Sequence, residues 1–332
     1  MLYNITVNLQ KRSALMRTLT VKENDSGQRL DKFLTKTLKT LPMSLMYKQI
    51  RTKKIKVNRK RTEPKYILQA GDTVELFISE EFFEKNSTAY PFTKLTPSLD
   101  IVYEDKNILL ADKRPGLIVH SDAKEDTNTL INHIKAYLYQ KGEYDPENEN
   151  SFAPSLCNRI DRNTGGIVIA AKNAETLRII NQKIKDREID KKYLLAVHGT
   201  PNPKKGLLKG FILKDEKTNT VRVYDNRVKG SKTAETEYRV IEEKNGLSLI
   251  EARLLTGRTH QIRAQFSYIG HPLLGDGKYG INKDDRRSGY KCQALYSYNL
   301  TFDFTTESGI LSYLKGKTFE VKRDNIYFLK EF

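Results

Sequence analysis

The sequence predicts an α+β fold whose main sheet is mixed and mainly antiparallel. Six strand-like apolar runs lie between residues 101 and 254, and they follow one another at short spacing. Two longer stretches of helical spacing interrupt them, at 130–139 and 174–185. Strands at short spacing with few helices between them are typical of this class.

The length of 332 residues predicts two domains of unequal size. A small α/β domain is expected at 18–80 and a larger domain at 98–332. Residues 81–97 contain Pro91 and Pro97 and are expected to form a linker. The hydrophobic content of 38% is sufficient for a buried core in each domain.

The elements of the small domain follow from apolar spacing and turn residues. Apolar residues recur at helical spacing after Ser26, a candidate N-cap, and Pro42 breaks the chain before a second short helix. A strand then enters a basic turn, and Ala70-Gly71-Asp72 turns the chain into a last strand. The positions are Leu30, Phe33, Leu34 and Leu38 in the first helix, Ile50 at the end of the second, and 55–57 and 73–78 for the strands.

The larger domain is expected to begin near residue 98 with short strands. Residues 141–155 contain Pro146 with interspersed acidic and asparagine residues, and are expected to form a mobile loop. The predicted strands lie at 101–103, 108–111, 168–171, 193–197, 235–241 and 247–254.

The charge distribution predicts a polyanionic partner. The chain has a formal net charge of +17, from 58 basic and 41 acidic residues. The alternative is a generally basic protein with no such partner. The distribution argues against that alternative, because residues 48–65 carry nine Lys or Arg residues and one acid, Glu63. A nucleic-acid-binding face is therefore expected in the small domain.

The composition also argues against several classes of protein. No segment approaches the roughly 18 apolar residues that a membrane helix needs, and the N-terminus lacks the pattern of a signal peptide. Cys157 and Cys292 form no CxxC pair, and the five histidines lack metal-ligand spacing. We therefore expect a cytoplasmic protein with no disulfide framework, metal site or membrane partner.

The most informative segment runs from Asn158 to Lys172. Asp161 stands between Arg159 and Arg162, a Thr-Gly-Gly turn follows, and an apolar run continues as a buried strand. A carboxylate held in this way against a rigid element is a candidate reactive group. The alternative is a surface aspartate in a cluster of arginine salt bridges.

Neighbouring motifs favour the reactive role. Four motifs span residues from about 98 to about 300, and they are Asp112–Gly116 with Val119-His120, Arg159-Ile160-Asp161 with Thr164-x-Gly166, Lys192-Tyr193, and Leu255–Arg263 continued by Gly270–Gly280. Together, and in this order, they resemble the motifs of the RluA-type pseudouridine synthases.

The resemblance implies a reaction on uridine within RNA. The bond from the base nitrogen to ribose is broken and remade through a ring carbon, without a cofactor or a metal. The resemblance implies Asp161 as the catalytic carboxylate and Arg263 as its partner, and an adjacent arginine lowers a carboxylate pKa by about 1–3 units. An ordinary salt bridge is the structural alternative for Arg263.

The resemblance also implies residues that contact the RNA. Tyr193 matches the aromatic position that stacks on the flipped uracil, and Arg159 matches the position whose side chain enters the RNA. Arg258 is expected near Arg263, with His260 and its neighbour Gln261 orienting both arginines. For Tyr193 the alternative is a plain core tyrosine.

Residues 18–80 resemble the small ribosomal-S-four-like RNA-binding fold, on the segments Arg29–Leu34 and Lys56–Asn58. The resemblance implies that a basic face follows the phosphate backbone of structured RNA without reading bases. The candidate RNA-binding residues are Lys54, Lys56, Arg59, Lys60 and Arg61.

The layout is most similar to the RluC- and RluD-like members that modify large-subunit ribosomal RNA. Two departures, Asn158 where the family often has His and Gly165 where it often has Ser, bear on the RNA target more than on the reaction. The alternatives are a tRNA uridine as target and a non-catalytic RNA-binding or ribosome-assembly protein. A tRNA synthetase or RNA methyltransferase would carry nucleotide or methyl-donor signatures, which the sequence lacks. We expect a monomer.

Overall fold

The computed structural model describes four segments of the chain, residues 15–83, 90–121, 127–280 and 283–332. In these residues helices occur together with two sheets, and most strand pairings are antiparallel. The predicted α+β class with a mainly antiparallel sheet is therefore confirmed.

The chain divides into two compact units. The small unit comprises residues 1–93 and 139–153, and the large unit comprises residues 94–138 and 154–332. The small unit therefore includes a segment that the sequence analysis assigned to the larger domain. The domain limits given above stay a prediction, and residues 84–89 of the expected linker lie outside the described residues.

The small unit combines two helices with a four-stranded antiparallel sheet. Its elements are β1 (Leu15–Thr20), α1 (Leu30–Thr37), α2 (Met43–Arg51), β2 (Ile55–Val57), β3 (Lys60–Arg61) and β4 (Thr73–Ile78). The strand order is β1-β4-β2-β3. Leu30, Phe33 and Leu34 of α1 and Ile50 of α2 are buried in one hydrophobic cluster, as their helical spacing predicts.

The start of α1 differs from the prediction. Ser26 does not cap this helix, and its hydroxyl donates to the carbonyl of Glu23 at 3.0 Å. The helix begins at Leu30, whose N–H donates to the carbonyl of Tyr66, while the next N–H donates to the carbonyl of Pro64. Two of the N–H groups that a side-chain cap would serve are therefore satisfied by a neighbouring loop.

The turn between β2 and β3 is tight. Asn58 and Arg59 have φ values of 51° and 63°, the left-handed conformation at both central residues of a type I′ hairpin. Asn58 tolerates this conformation well, and its side chain bonds Asp72 at 2.7 Å and the N–H of Thr73 at 2.9 Å. The turn thus presents Arg59 and Lys60 at the tip of a fixed hairpin.

Asp25 anchors the segment 139–153 within the small unit. Its buried carboxylate accepts hydrogen bonds from the side chains of Asn150 at 2.7 Å and Ser151 at 2.6 Å. Phe92 packs near the rings of Tyr139 and Tyr144. The segment expected to be a loop is therefore held, near its end, by charge-assisted hydrogen bonds.

The large unit contains the other strands and helices of the described residues. They are β5 (Asp100–Glu104), β6 (Ile108–Lys113), α3 (Leu130–Gln140, whose last residues fall in the small unit), β7 (Ser155–Leu156), β8 (Gly165–Ala171), α4 (Ala174–Lys185), β9 (Ile189–His198), β10 (Lys205–Asp215), β11 (Thr220–Tyr224), β12 (Lys232–Lys244), β13 (Leu247–Leu254), α5 (Gln261–Tyr268), α6 (Lys283–Arg287), β14 (Leu295–Phe302) and β15 (Thr318–Glu320).

One eleven-stranded sheet organises this unit, in the order β11-β10-β12-β13-β9-β14-β8-β6-β5, with β15 beside β14 and β7 beside β8. Among its named strands, the pairing of β8 with β14 is parallel and the others are antiparallel. All seven residues of β8 are buried. The centre of the sheet is therefore a rigid support for the turn that precedes β8.

Candidate active site

The turn that carries Asp161 leads directly into β8. The N–H of Thr164 donates to the carbonyl of Asp161 at 3.1 Å, and the strand begins at the next residue. The Thr164 hydroxyl accepts a hydrogen bond from the side chain of Gln293 at 3.1 Å, and both residues are buried. Asp161 therefore projects from a turn that is fixed on both sides.

Two glycines allow this turn to lie against β14. A Cβ at Gly166, where φ is 119°, would lie 2.2 Å from the carbonyl oxygen of Ser297. A Cβ at Gly165 would lie 2.2 Å from the ring of Tyr296. Contacts this short are not possible, so the Gly-Gly pair sets the approach of the turn to the sheet. The Tyr296 ring leaves no room for a side chain at Gly165.

Lys113 ties the same turn to β6. Its Nζ donates to the carbonyls of Arg114 at 3.0 Å, Leu117 at 2.8 Å and Arg162 at 2.8 Å. The side chain is almost fully buried, and this burial lowers the pKa of Lys113 to about 7. Lys113 thus anchors the residue next to Asp161, and it belongs to the upstream motif that the sequence analysis identified.

Arg263 lies between two carboxylates. Its Nη1 donates to Oδ2 of Asp161 at 2.8 Å, which brings together the two residues that the sequence paired. Its Nε and Nη2 form a bidentate pair with Asp276, at 2.7 and 2.9 Å. Arg263 lies on the first turn of α5, and only 8% of its side chain is exposed.

The Arg263–Asp276 pair is the buried part of this network. Burial lowers the pKa of Arg263, but the hydrogen bonds and charges of Asp276 and Asp161 outweigh that effect and raise it. Burial likewise raises the pKa of Asp276, but its bonds to Arg263 and to the N–H groups of Lys278 and Tyr279 lower it overall. The guanidinium beside Asp161 is therefore permanently charged.

His260 and Tyr279 form the other wall of the site. Nε2 of His260 lies 3.6 Å from Oδ2 of Asp161, and its Nδ1 lies 2.7 Å from the hydroxyl of Tyr279. The guanidinium of Arg263 lies over the Tyr279 ring, 5.2 Å from its centroid. His260 thus faces Asp161, although the sequence analysis expected it to orient Arg258 and Arg263. The Asp161 side chain is 27% exposed, so solvent can reach it.

Tyr193 lies in β9 opposite Ser297 of β14. Its ring is buried in a hydrophobic cluster that includes Leu195 and Ile262. Burial raises its pKa to about 12, and the charge of Asp161 contributes to the increase. The phenol is therefore protonated near neutral pH. This setting is compatible with a stacking residue and with a core tyrosine.

The two other candidate arginines of the large unit are exposed. Arg159 lies close enough to His120 that its charge contributes to a lowered pKa of that histidine, after burial. Nε of Arg258 donates to the carbonyl of Thr233 at 2.9 Å, and its N–H donates to the side chain of Gln261 at 3.1 Å. Gln261 therefore orients the backbone of Arg258, and in the part of the chain that the structure describes no hydrogen bond or ion pair joins Arg258 to Asp161.

The basic residues of the small unit are mostly exposed. Lys54, Arg59, Lys60 and Arg61 are exposed, and Arg59 lies 4.0 Å from a carboxylate oxygen of Glu75. Lys56 is half-buried, with its Nζ 5.4 Å from the centre of the Phe77 ring. Four of the five candidates are thus accessible to solvent or to a ligand, while the aliphatic part of the Lys56 side chain covers apolar surface.

Sequence reasoning missed three contributors to the site. Asp276 and Tyr279 were noted only as parts of a motif, and Lys113 only as part of the upstream block. Their roles depend on contacts across the chain that no local pattern shows. In the residues that the structure describes, no group of three or more His, Cys, Asp or Glu could hold a metal ion. No helix of that part of the chain is long and apolar enough to cross a membrane.

Comparisons with known proteins identify two families of domain in this chain. The family model described as RNA pseudouridylate synthase matches residues 107–268, and the model described as S4 domain matches residues 28–74. The solved structure of human RNA pseudouridylate synthase domain containing 4 has a TM-score of 0.54 and 20% identity, and covers 70% of this chain and 92% of its own. That likeness supports the fold of the large unit.

Two curated relatives are similar over most of their length. Ribosomal large subunit pseudouridine synthase C of Vibrio cholerae is 33% identical over 85% of this chain and 87% of its own. An uncharacterized RNA pseudouridine synthase of Mycoplasma capricolum is 33% identical over 91% of this chain and 96% of its own. With the family model, these relatives show that this chain belongs to the RNA pseudouridylate synthase family, enzymes that isomerise uridine to pseudouridine in RNA.

Proposed function

We propose that this protein isomerises uridine in large-subunit ribosomal RNA in the cytoplasm, with Asp161 as the catalytic carboxylate. The observation that carries the proposal is the position of Asp161, which is reachable from solvent and bonded at 2.8 Å to the permanently charged Arg263. The Arg263 guanidinium fixes the orientation of the carboxylate, and the exposed part of the carboxylate can act on a substrate as a nucleophile or base.

The target base must leave the RNA stack to reach Asp161. Flipping a base costs a few kcal/mol, so the protein must compensate for lost stacking. Arg159 is exposed two residues from Asp161 and can occupy the space that the base leaves. Tyr193 is proposed to contact the flipped uracil with one face of its ring.

The choice of ribosomal RNA rests on the relatives and on the small unit. The Vibrio cholerae relative is named for the large ribosomal subunit. The exposed cations Lys54, Arg59, Lys60 and Arg61, together with Lys56, would contact phosphates of a structured RNA. A tRNA uridine is the second candidate target, since specificity depends on RNA shape.

Mapping pseudouridines in total RNA tests the proposal. Cells with and without the gene for this protein are compared, and the loss of one or more pseudouridines in large-subunit ribosomal RNA is expected. Loss confined to tRNA would replace the proposed target. No change in any RNA, together with no activity of the purified protein, would favour the non-catalytic alternative.

We expect Tyr193→Ala to slow single-turnover pseudouridine formation more than Tyr193→Phe does. The phenylalanine keeps the ring, and stacking contributes about 1–3 kcal/mol per base. Tyr238 is a matched control, because it is buried in the same cluster and its hydroxyl donates to the carbonyl of Pro203 at 2.7 Å. Tyr238→Phe should leave the rate unchanged. Equal rates for wild type and both Tyr193 variants would show that Tyr193 is only part of the hydrophobic core.

Neutralising the hairpin tip should weaken RNA binding and flatten its salt dependence. In the full chain, Arg59→Asn, Lys60→Gln and Arg61→Gln are combined, and asparagine suits the positive φ at residue 59. If all three cations contact phosphates, the slope of log affinity against log salt concentration should become less negative by about 0.7 to 0.9 for each cation removed.

A salt titration of RNA binding measures that slope. A matched control neutralises three exposed cations of the large unit, with Lys315→Gln, Lys322→Gln and Arg323→Gln, so that the net charge is the same. Slopes that are equal in wild type and in the hairpin variant would show that the hairpin does not contact this RNA.

A further inference from the structure

The two oxygens of the Asp161 carboxylate have different surroundings. Oδ2 accepts the hydrogen bond from Arg263 at 2.8 Å and faces Nε2 of His260 at 3.6 Å. Oδ1 makes no hydrogen bond to any residue in the described part of the chain. One oxygen is therefore held by the protein, and the other is open to a substrate.

The hydrogen bonds of the Tyr279 hydroxyl bear on which nitrogen of His260 carries the proton. The hydroxyl of Tyr279 accepts the N–H of Val221 at 2.8 Å and lies 2.7 Å from Nδ1 of His260. A phenol has one proton to donate, and Nδ1 of His260 is the partner within reach. If Tyr279 donates to Nδ1, then Nδ1 is an acceptor and the imidazole proton lies on Nε2, which faces Asp161.

The groups around His260 favour this neutral form. Burial lowers its pKa, the charge of Asp161 raises it, and the charges of Arg263 and Lys278 lower it, with a net decrease. The charge of Asp276 also raises the pKa of His260, but less strongly than that of Asp161. A doubly protonated imidazole would also have to donate to Tyr279, which would leave the phenol proton without the partner described above.

From this geometry we propose that Tyr279 and His260 form a positioning relay. The Tyr279 hydroxyl holds the imidazole proton on Nε2. The partial positive charge of Nε2–H lies 3.6 Å from Oδ2 of Asp161, too far for a hydrogen bond, and attracts this oxygen toward the protein. Oδ1 is then the oxygen that meets the uridine. The relay rests on the proposed function, because it assigns a role to one oxygen of the proposed catalytic carboxylate.

The backbone at His260 shows why this residue type fits. His260 has a φ of 52° and immediately precedes α5. The direction of its side chain is therefore determined by its own left-handed backbone conformation and not by the helix. Asparagine adopts this conformation most readily among non-glycine residues, and its side chain is too short to replace both ring nitrogens. His260→Asn therefore removes the relay while keeping the backbone.

Tyr279→Phe is the complementary variant. It keeps the ring under Arg263 and removes only the hydroxyl. Nitrogen-15 NMR of the full-length protein labelled at histidine distinguishes the two imidazole tautomers, and the missing signal in His260→Asn assigns the resonance. We expect the Nε2–H tautomer in wild type and a mixture or the Nδ1–H tautomer in Tyr279→Phe.

Kinetics supply the second measurement. Tyr279→Phe and His260→Asn are expected to slow single-turnover isomerisation by about three- to tenfold, an effect similar in size to that of one weak polar interaction, with RNA affinity unchanged. Because both act through one N–H group, the double variant should be no slower than His260→Asn. Tyr238→Phe again controls for the loss of a buried hydroxyl.

Three results would overturn the relay: the Nδ1–H tautomer in wild type, wild-type rates in both variants, or additive losses in the double variant. The NMR measurement is made on free protein and needs no activity. Full activity of Asp161→Asn would instead contradict the proposed function. Failure of the relay and failure of the proposed function are therefore distinguishable.

Discussion

Asp161→Asn should abolish pseudouridine formation while RNA affinity stays near wild type. The amide has the shape of the carboxylate but lacks its charge, so it cannot act as a nucleophile or strong base. Loss of a central catalytic group costs a factor on the order of 10³ or more. The measurement is single-turnover formation of pseudouridine by the purified variant, with binding of the same RNA determined separately.

The control for this variant is another aspartate paired with an arginine in the large unit. Asp190 of β9 accepts a hydrogen bond from Arg253 at 2.7 Å, so Asp190→Asn removes one charge from a similar pair. It should leave the rate close to wild type. A rate for Asp161→Asn within about tenfold of wild type would exclude Asp161 as the catalytic carboxylate.

The sequence predicted the parts of the site that lie in local patterns. The turn at Asp161 and the buried strand after it were expected from the local pattern. The pairing with Arg263 was implied only by the family resemblance, and the structure brings the two side chains to 2.8 Å. The apolar run after the turn is short and begins with three β-branched residues, Ile167, Val168 and Ile169, and these two features favour a buried strand over a buried helix. The class of the fold followed from the same kind of signal in the other strands.

Other parts depend on long-range contacts and could not be predicted in this way. β10 carries charged residues and two glycines, so its sequence lacks the apolar run of a central strand, and its pairing with β12 supplies the stability. The anchoring of residues 139–153 depends on Asp25, more than a hundred residues away. The helix cap expected at Ser26 fails for the same reason, because a neighbouring loop satisfies the first N–H groups of α1.

The largest effect on stability is expected for Asp276→Asn. Asp276 is fully buried and holds Arg263 by two hydrogen bonds, at 2.7 and 2.9 Å. Removing one partner of a buried ion pair costs about 3–5 kcal/mol, because the remaining charge stays buried without compensation. Arg263 would keep Asp161 as its charged partner, but through one nitrogen only.

The same substitution should also lower activity, because Asp276 fixes the guanidinium that bonds Asp161. Urea unfolding followed by near-ultraviolet circular dichroism measures the stability, and single-turnover rates are taken well below the unfolding midpoint. Asp284→Asn is the control, since Asp284 also pairs with an arginine, Arg287, but both side chains are 79% exposed. Exposed pairs of this kind contribute little. If Asp276→Asn were as stable and as active as the control, Asp161 alone would be sufficient to hold Arg263, and the buried pair would have no part in preparing the site.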